Sequence, residues 1–190
     1  MPPKAKITRD MVVCAAFEIA RRSGAEQINA RTVAQTLGCS TQPVMYHFAK
    51  IEGLKRAVYE KLDQYHTQYL IRTPAPQQEA PLSIGLNYIR FAVEEPHLFR
   101  FLFQSGFALE NSLLEMMDSQ GLQPVISAMQ RAADLSLEQA KQVFFTVALF
   151  THGYASILAN NSFPYDEKAA AFHLKRAYCG AVSAVQEEIK

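Results

Sequence analysis

The polar segment Ser40-Thr41-Gln42-Pro43 carries side chains that can contact the edges of DNA bases. The amide group of a glutamine can form two hydrogen bonds with adenine, and the carbon atoms of threonine or proline can touch the methyl group of thymine. Such contacts require a rigid element that fits the major groove, and a helix is the usual one. Thr41, Gln42 and Pro43, with Ser40 beside them, are therefore candidate base-reading residues.

A second set of residues around this segment could hold the phosphate backbone of DNA without reading its sequence. The set comprises Arg31, Thr32, Tyr46, His47 and Lys50. Taken singly, each of them could equally be a solvated surface residue, and Tyr46 could be a half-buried aromatic of the core. The hypothesis of a DNA contact depends on whether one fold brings both sets together.

Apolar side chains recur at helical spacing along most of the chain, and no segment shows the alternation typical of a strand. We therefore expect an all-α protein of about nine helices. Thr8, Asn29 and Ser136 are residues that can cap the N-termini of three of them. The predicted helices span roughly residues 8–22, 29–37, 41–48, 52–71, 82–94, 97–105, 109–132, 136–160 and 166–188, with a loop at 73–81.

The second and third predicted helices are very short and are joined by a tight turn at Gly38, which is the outline of a helix-turn-helix. Ser40 or Thr41 can cap the third helix. Pro43 fits in its first turn, where a missing N–H group does least harm. Because the second short helix of such a motif lies in the major groove, the polar segment would meet base edges.

Charge is distributed unevenly between the two ends of the chain. Residues 1–62 hold ten Lys/Arg and five Asp/Glu, whereas the remainder holds nine and thirteen, so the net charges are +5 and −4. A basic N-terminal part suits a polyanionic partner, because neutralising phosphates supplies the sequence-independent part of DNA affinity. A chance excess of positive charge on a solvated face is the alternative.

Residues 8–62 resemble the DNA-binding head of the TetR family of transcriptional regulators. The residues that carry the resemblance are Ala15-Ala16, Ile19-Ala20, Arg31, Val33-Ala34, Gly38-Cys39-Ser40, Tyr46-His47-Phe48, Glu52 and Leu54, with His152-Gly153 similar to a pair in the penultimate helix of some members. The chain departs from the family pattern at Gln42-Pro43, at Met45 and at Lys50-Ile51. Lys50 could replace a phosphate-binding lysine that the family usually has one residue later.

The resemblance implies a ligand pocket among the helices of the body, and residues 88–154 are rich in aromatic residues and methionine, which suit a largely apolar small molecule. Most of these side chains must fill the core, and a histidine on an apolar face is more often a core residue than a ligand contact. The candidate pocket residues are Phe91, His97, Phe101, Gln104, Met117, Phe145 and His152.

Small residues recur along the last two predicted helices, which would let helices approach closely. Ordinary packing within the chain is one interpretation, and the resemblance favours the other, a four-helix interface of a homodimer. The candidate interface residues are Ala148, Ala155, Ala177, Gly180, Ala181 and Ala184. A two-fold protein would then bind a pseudo-palindromic operator in double-stranded DNA.

We therefore expect a DNA-binding domain in residues 1–50 and an effector-binding and dimerisation domain in residues 51–190. The implied function is a transcriptional regulator, a repressor that a small molecule releases from its operator. A helical enzyme and a helical partner-binding protein are the alternatives. No Gly-rich phosphate loop or nucleophile motif supports an enzyme, so no catalytic residue is predicted.

Cysteine usage and hydropathy indicate the compartment. The three cysteines lie far apart, with no metal-ligand spacing, so neither disulfides, a metal site nor a cofactor is expected. The N-terminus has no apolar segment behind its charges, and no run of uncharged apolar residues is long enough to cross a bilayer. We expect a cytoplasmic protein that does not bind membranes.

Overall fold

The computed structural model describes residues 7–107, 122–161 and 163–187 of the chain. The described residues form nine α-helices and a short 3-10 turn at Ala25–Gln27, without strands. The prediction of an all-α fold is confirmed. The helices are α1 Arg9–Ser23, α2 Ala30–Thr36, α3 Thr41–His47, α4 Ile51–Leu70, α5 Ala80–Glu94, α6 Pro96–Gln104, α7 Gln123–Ala133, α8 Leu137–Asn160 and α9 Glu167–Glu187.

The three predicted N-caps are confirmed. The side chain of Thr8 accepts a hydrogen bond of 3.2 Å from the N–H of Met11. Asn29 begins α2, and Ser136 begins α8 with a capping box, in which the hydroxyl accepts from the N–H of Gln139 and Gln139 reaches back to the N–H of Ser136. Each cap satisfies backbone donors that a helix leaves unpaired at its start.

The predicted start of the fifth helix differs from the structure. Helix α5 begins at Ala80, so Pro81 belongs to its first turn rather than to the preceding loop. Proline is favourable there because the first turn needs no N–H donor. The helix predicted for 109–132 is described only from α7 onwards, and residues 108–121 lie outside the described part of the chain.

The chain divides into two compact units. The first comprises Met1–Tyr65 and His97–Ala108, and the second comprises His66–Pro96 and Leu109–Lys190. In the first unit, α1, α2 and α3 pack on one another, and the ring of Phe17 on α1 contacts Tyr65 on α4 edge to face, with the ring centres 5.5 Å apart.

The second unit is built around α8, which contacts α5, α7 and α9. Its core contains Ile126 and Met129 of α7, Val143 and Phe144 of α8, and Leu174 of α9. Helices α5 and α9 approach closely at Gly85, where an added Cβ would lie 2.8 Å from Cδ2 of Leu174. A glycine at residue 85 therefore lets α9 pack tightly against α5.

Candidate functional site

Helix α3 presents a polar face to solvent and is anchored by buried side chains on its other face. Val44 and Phe48 are buried, whereas Thr41, Gln42 and Tyr46 are exposed. Positions 41, 42, 45 and 46 share one face because an α-helix turns once in 3.6 residues. The residues that the sequence predicts to read bases thus lie at the N-terminal turn of a solvent-exposed face.

Tyr46 is 82% exposed, so its interpretation as a half-buried core aromatic is wrong. Burying an aromatic ring is strongly favourable, and a surface ring this open is suited to contact a partner. Its ring lies edge-on to that of His47, with the centres 5.2 Å apart.

The turn between α2 and α3 depends on Gly38, whose φ is +62°. For residues with a side chain this left-handed conformation costs about 1 kcal/mol or more. The turn is closed by two backbone hydrogen bonds, from the N–H of Gly38 to the oxygen of Gln35 and from the N–H of Cys39 to that of Ala34. This turn fixes the direction in which α3 leaves α2.

Thr32 and Arg31 lie in the first turn of α2, where the Thr32 hydroxyl has a structural role. Oδ1 of Asn29 accepts hydrogen bonds of 3.0 Å from the N–H groups of Arg31 and Thr32. The Thr32 hydroxyl donates to the carbonyl oxygen of Gln27 at 2.7 Å and accepts from the N–H of Asn29. Arg31 is exposed.

The remaining predicted DNA contacts lie at the two ends of α3. Ser40 is the exposed N-cap residue, without a capping bond from its side chain, and Pro43 is half-buried in the first turn. His47 is half-buried, and its Nε2 lies 2.9 Å from the carbonyl oxygen of Ile7. Lys50 is exposed immediately before α4. The contacts of these residues with DNA remain predictions.

The predicted pocket residues are divided between the two units. In the first unit Phe101 is buried against Tyr59 and Phe107, His97 is half-buried and accepts from Arg100 at 3.1 Å, and Gln104 is exposed. Met117 lies outside the described residues.

In the second unit Phe91 is completely buried and meets His66 edge to face, with ring centres 4.8 Å apart. Phe145 and His152 are half-buried. The hydroxyl of Tyr88 lies 2.8 Å from Nδ1 of His152, and burial lowers the pKa of His152. Sequence reasoning missed the pairing of Tyr88 with His152, because the two residues are 64 positions apart and no local pattern links them.

The predicted interface residues do not share one environment. Ala155 and Ala181 are buried within the chain's own core, Ala148 and Ala177 are half-buried, and Gly180 and Ala184 are exposed. Sequence reasoning missed three large apolar side chains that are exposed on α8 and α9. They are Leu149, Ile157 and Phe172, each at least half exposed.

Helix α8 is long and apolar enough to cross a membrane by length and composition alone, and it is the one such helix in the described ranges. Core helices of soluble proteins often meet the same two criteria. Within residues 7–107, 122–161 and 163–187, no group of three or more His, Cys, Asp or Glu side chains could hold a metal ion.

Comparisons with solved structures identify the fold. The chain is similar to a TetR-family transcriptional regulator from Streptomyces coelicolor, with 14% identity, a TM-score of 0.72 and coverage of 96% of this chain and 82% of that one. A second TetR-family member, from Streptomyces coelicolor A3, gives 18% identity and a TM-score of 0.58, covering 89% and 96% of the two chains.

A third similar structure is the multidrug binding protein EbrR complexed with ethidium, with 20% identity, a TM-score of 0.55 and coverage of 89% and 97%. At these identities the likeness concerns the fold. A search of curated proteins gives no match.

A family model supplies evidence from the sequence. The model described as "Tetracyclin repressor-like, C-terminal domain" matches residues 82–177, about half of the chain. This segment belongs to the part of the chain where the sequence alone offered the weakest resemblance, and the match is independent of the helix-turn-helix residues. Together with the all-helical fold, it shows that the chain belongs to the TetR family of transcriptional regulators.

Proposed function

We propose that the chain is a sequence-specific DNA-binding repressor, which a small-molecule effector releases from its operator. The observation that carries the proposal is the exposed face of α3. Thr41, Gln42 and Tyr46 point to solvent from a helix that the buried Val44 and Phe48 hold in position. Because such a helix is already ordered in the free protein, entering the major groove does not carry the free-energy cost of ordering it.

The proposal assigns two different tasks to the exposed residues. Gln42 and Thr41 contact base edges from the first turn of α3. Arg31 and Lys50 contact phosphates on either side of the groove. Lys50 directly precedes α4 and its carbonyl oxygen accepts a hydrogen bond from the N–H of Gly53, so the positive end of the α4 dipole lies beside the lysine. A helix N-terminus with an adjacent cation is suited to a phosphate group.

The effector would bind in the domain that we propose for residues 51–190, with residues 1–50 forming the DNA-binding domain. EbrR, which is similar in fold, is a multidrug binding protein complexed with ethidium. Tyr88 and His152 offer a polar pair beside the rings of His66 and Phe91. A largely apolar effector with one hydrogen-bonding group would suit such surroundings.

A homodimer would cover the exposed apolar residues of α8 and α9. Leu149, Ile157 and Phe172 are exposed, as are Gly180 and Ala184 on α9, and we propose that they belong to one interface. Exposed apolar surface of this kind usually marks an interface with another protein. Burying it in a dimer also accounts for the high hydropathy of α8, because the helix would then have one apolar face towards the core of its own chain and another towards the partner chain. We propose a cytoplasmic location for the dimer.

Selection of bound duplexes from a random pool tests the DNA-binding function. We expect one enriched motif with two-fold symmetry, whose half-sites are about 34–36 Å apart or somewhat more, because two copies of α3 would meet successive turns of the major groove. An enriched motif without a dyad would contradict the dimeric mode of binding. A pool without enrichment would contradict sequence-specific binding itself.

The alternative classes are a helical enzyme and a helical protein that binds other proteins. A mobility shift with double-stranded DNA that weakens as salt is raised would support the regulator, since phosphate contacts release counterions. Absence of any salt-dependent shift would favour the two alternatives.

A further inference from the structure

Met45 is a large apolar residue on the face of α3 that carries the predicted base-reading side chains. It is 40% exposed, whereas Val44 and Phe48, which anchor the helix, are buried. Successive residues of an α-helix are rotated by about 100°, so Met45 lies about 40° from Thr41 and about 60° from Gln42 around the helix axis, between the two. An apolar side chain therefore separates two polar ones on the exposed face.

An apolar side chain at this position is unfavourable opposite most base edges. In the major groove, guanine, cytosine and adenine present hydrogen-bond donors and acceptors, and displacing water from such groups without offering another partner costs free energy. Thymine differs, because its apolar C5-methyl group also projects into this groove. Methionine is unbranched and has a polarizable thioether, so its side chain can adapt to the position of a methyl group.

We propose that Met45 reads the C5-methyl group of one thymine in each half-site of the operator, as a specificity-determining residue distinct from Gln42. This inference rests on the proposed DNA-binding function. The Cβ atoms of residues three apart on a helix are about 5–6 Å apart, and bases along one strand are about 3.4 Å apart. Met45 and Gln42 therefore reach bases within about two steps of each other.

The contact can be tested with the motif enriched from the random pool, by replacing each thymine in turn with uracil in both half-sites. Uracil lacks only the methyl group, so the hydrogen-bonding edge of the base is unchanged. At one thymine the dissociation constant of the wild-type protein should rise about four-fold per half-site, as expected when one methyl group is no longer buried. Met45→Ala should bind the intact motif more weakly and should be insensitive to this replacement, because alanine is too short to reach the methyl group.

Two further variants control for exposure and for folding. Met11→Ala is the matched control, since Met11 is also 40% exposed but lies on α1, and it should respond to uracil as the wild type does. Met45→Leu should keep the response, because leucine is apolar and of similar volume. Circular dichroism gives the melting temperature of each variant. A folded variant that is merely less stable would keep its sensitivity to the methyl group.

The outcomes separate this inference from the function on which it rests. An enriched motif without a thymine at equivalent places in its half-sites would overturn the methyl contact, and so would wild-type binding that no uracil weakens. Sequence-specific binding would stand in both cases. Equal uracil sensitivity in the wild type and in Met45→Ala would overturn the role of Met45. A pool without enrichment would overturn the sequence-specific function and this inference with it.

Discussion

Nδ2 of Asn87 donates a hydrogen bond of 2.9 Å to the main-chain carbonyl oxygen of Leu70, the last residue of α4. Asn87 is 1% exposed. Its Oδ1 accepts from the hydroxyl of Thr73 and from the guanidinium of Arg90, at 3.3 and 3.2 Å. One buried amide from α5 therefore satisfies a backbone oxygen at the end of α4 and fixes the loop that follows.

Asn87→Ala should lower the free energy of unfolding by about 1–3 kcal/mol, because it leaves the partly buried carbonyl oxygen of Leu70 without its donor. The measurement is urea denaturation followed by circular dichroism. The control is Asn160→Ala, since Asn160 is exposed and bonds to the carbonyl oxygen of Ser156 in its own helix. The control should stay within about 0.5 kcal/mol of wild type. Equal losses in both variants would contradict the role of Asn87.

The buried imidazole of His66 predicts a dependence of stability on pH. Burial beside the rings of Tyr88 and Phe91 lowers the pKa of His66 from 6.5 to about 4. The unfolded chain then binds more protons than the folded one between these two values, so stability falls as pH is lowered through this window. Above about pH 6.5 this effect vanishes because both states are neutral.

His66→Leu removes this titration, so the comparison is the difference in unfolding free energy between wild type and variant as a function of pH. The stability of wild type relative to the variant should rise by up to about 3 kcal/mol from pH 4 to pH 6.5 and then stay constant. If the unfolding free energies of wild type and variant changed in parallel over this pH range, His66 would be protonated equally in the folded and unfolded states, which would contradict the prediction.

Ile157 tests the proposed dimer surface. Ile157→Glu should raise the dissociation constant of the homodimer at least about 100-fold, or ~2.7 kcal/mol, because it would bury a carboxylate in an apolar interface. Ile71→Glu is the matched control, since Ile71 is 65% exposed and belongs to neither α8 nor α9. Sedimentation equilibrium measures both. If the two variants dissociate alike, or neither does, the surface on α8 and α9 is not the interface.

The sequence predicted the helices well because their signals are local. Thr8, Asn29 and Ser136 cap the helices that they were expected to begin, and a positive φ at Gly38 makes the turn. The exposed face of α3 could be predicted for the same reason, because this very short helix has a single apolar stripe and most of its other residues must face solvent.

The faces of α8 could not be predicted in this way, because apolar residues surround the helix. Periodicity does not reveal that Ala155 faces the core while Ile157, two residues later, faces solvent. Nor does it reveal contacts between distant segments. The His47–Ile7 bond, the Tyr88–His152 pair and the Asn87–Leu70 bond each join residues that are distant in the sequence. Each of them depends on how the helices pack, which no local sequence pattern indicates.

Lys50 and Gln42 are eight residues apart but are assigned different physical tasks. Lys50→Ala should weaken binding to all duplexes alike and make the salt slope shallower by about 0.9 per protomer, as expected for a lost phosphate contact. Preference for the selected motif over mixed-sequence DNA should be unchanged. A loss of preference in Lys50→Ala would contradict its assignment to phosphate.

The most direct test of base reading by α3 is the affinity of Gln42→Ala for the selected motif and for mixed-sequence DNA, with Gln35→Ala, exposed on α2, as the control. Gln42→Ala should weaken binding to the motif by about 1–3 kcal/mol and leave binding to mixed-sequence DNA nearly unchanged. Gln35→Ala should change neither. Equal weakening of both duplexes by Gln42→Ala, or no weakening of either, would contradict the docking of α3 in the major groove.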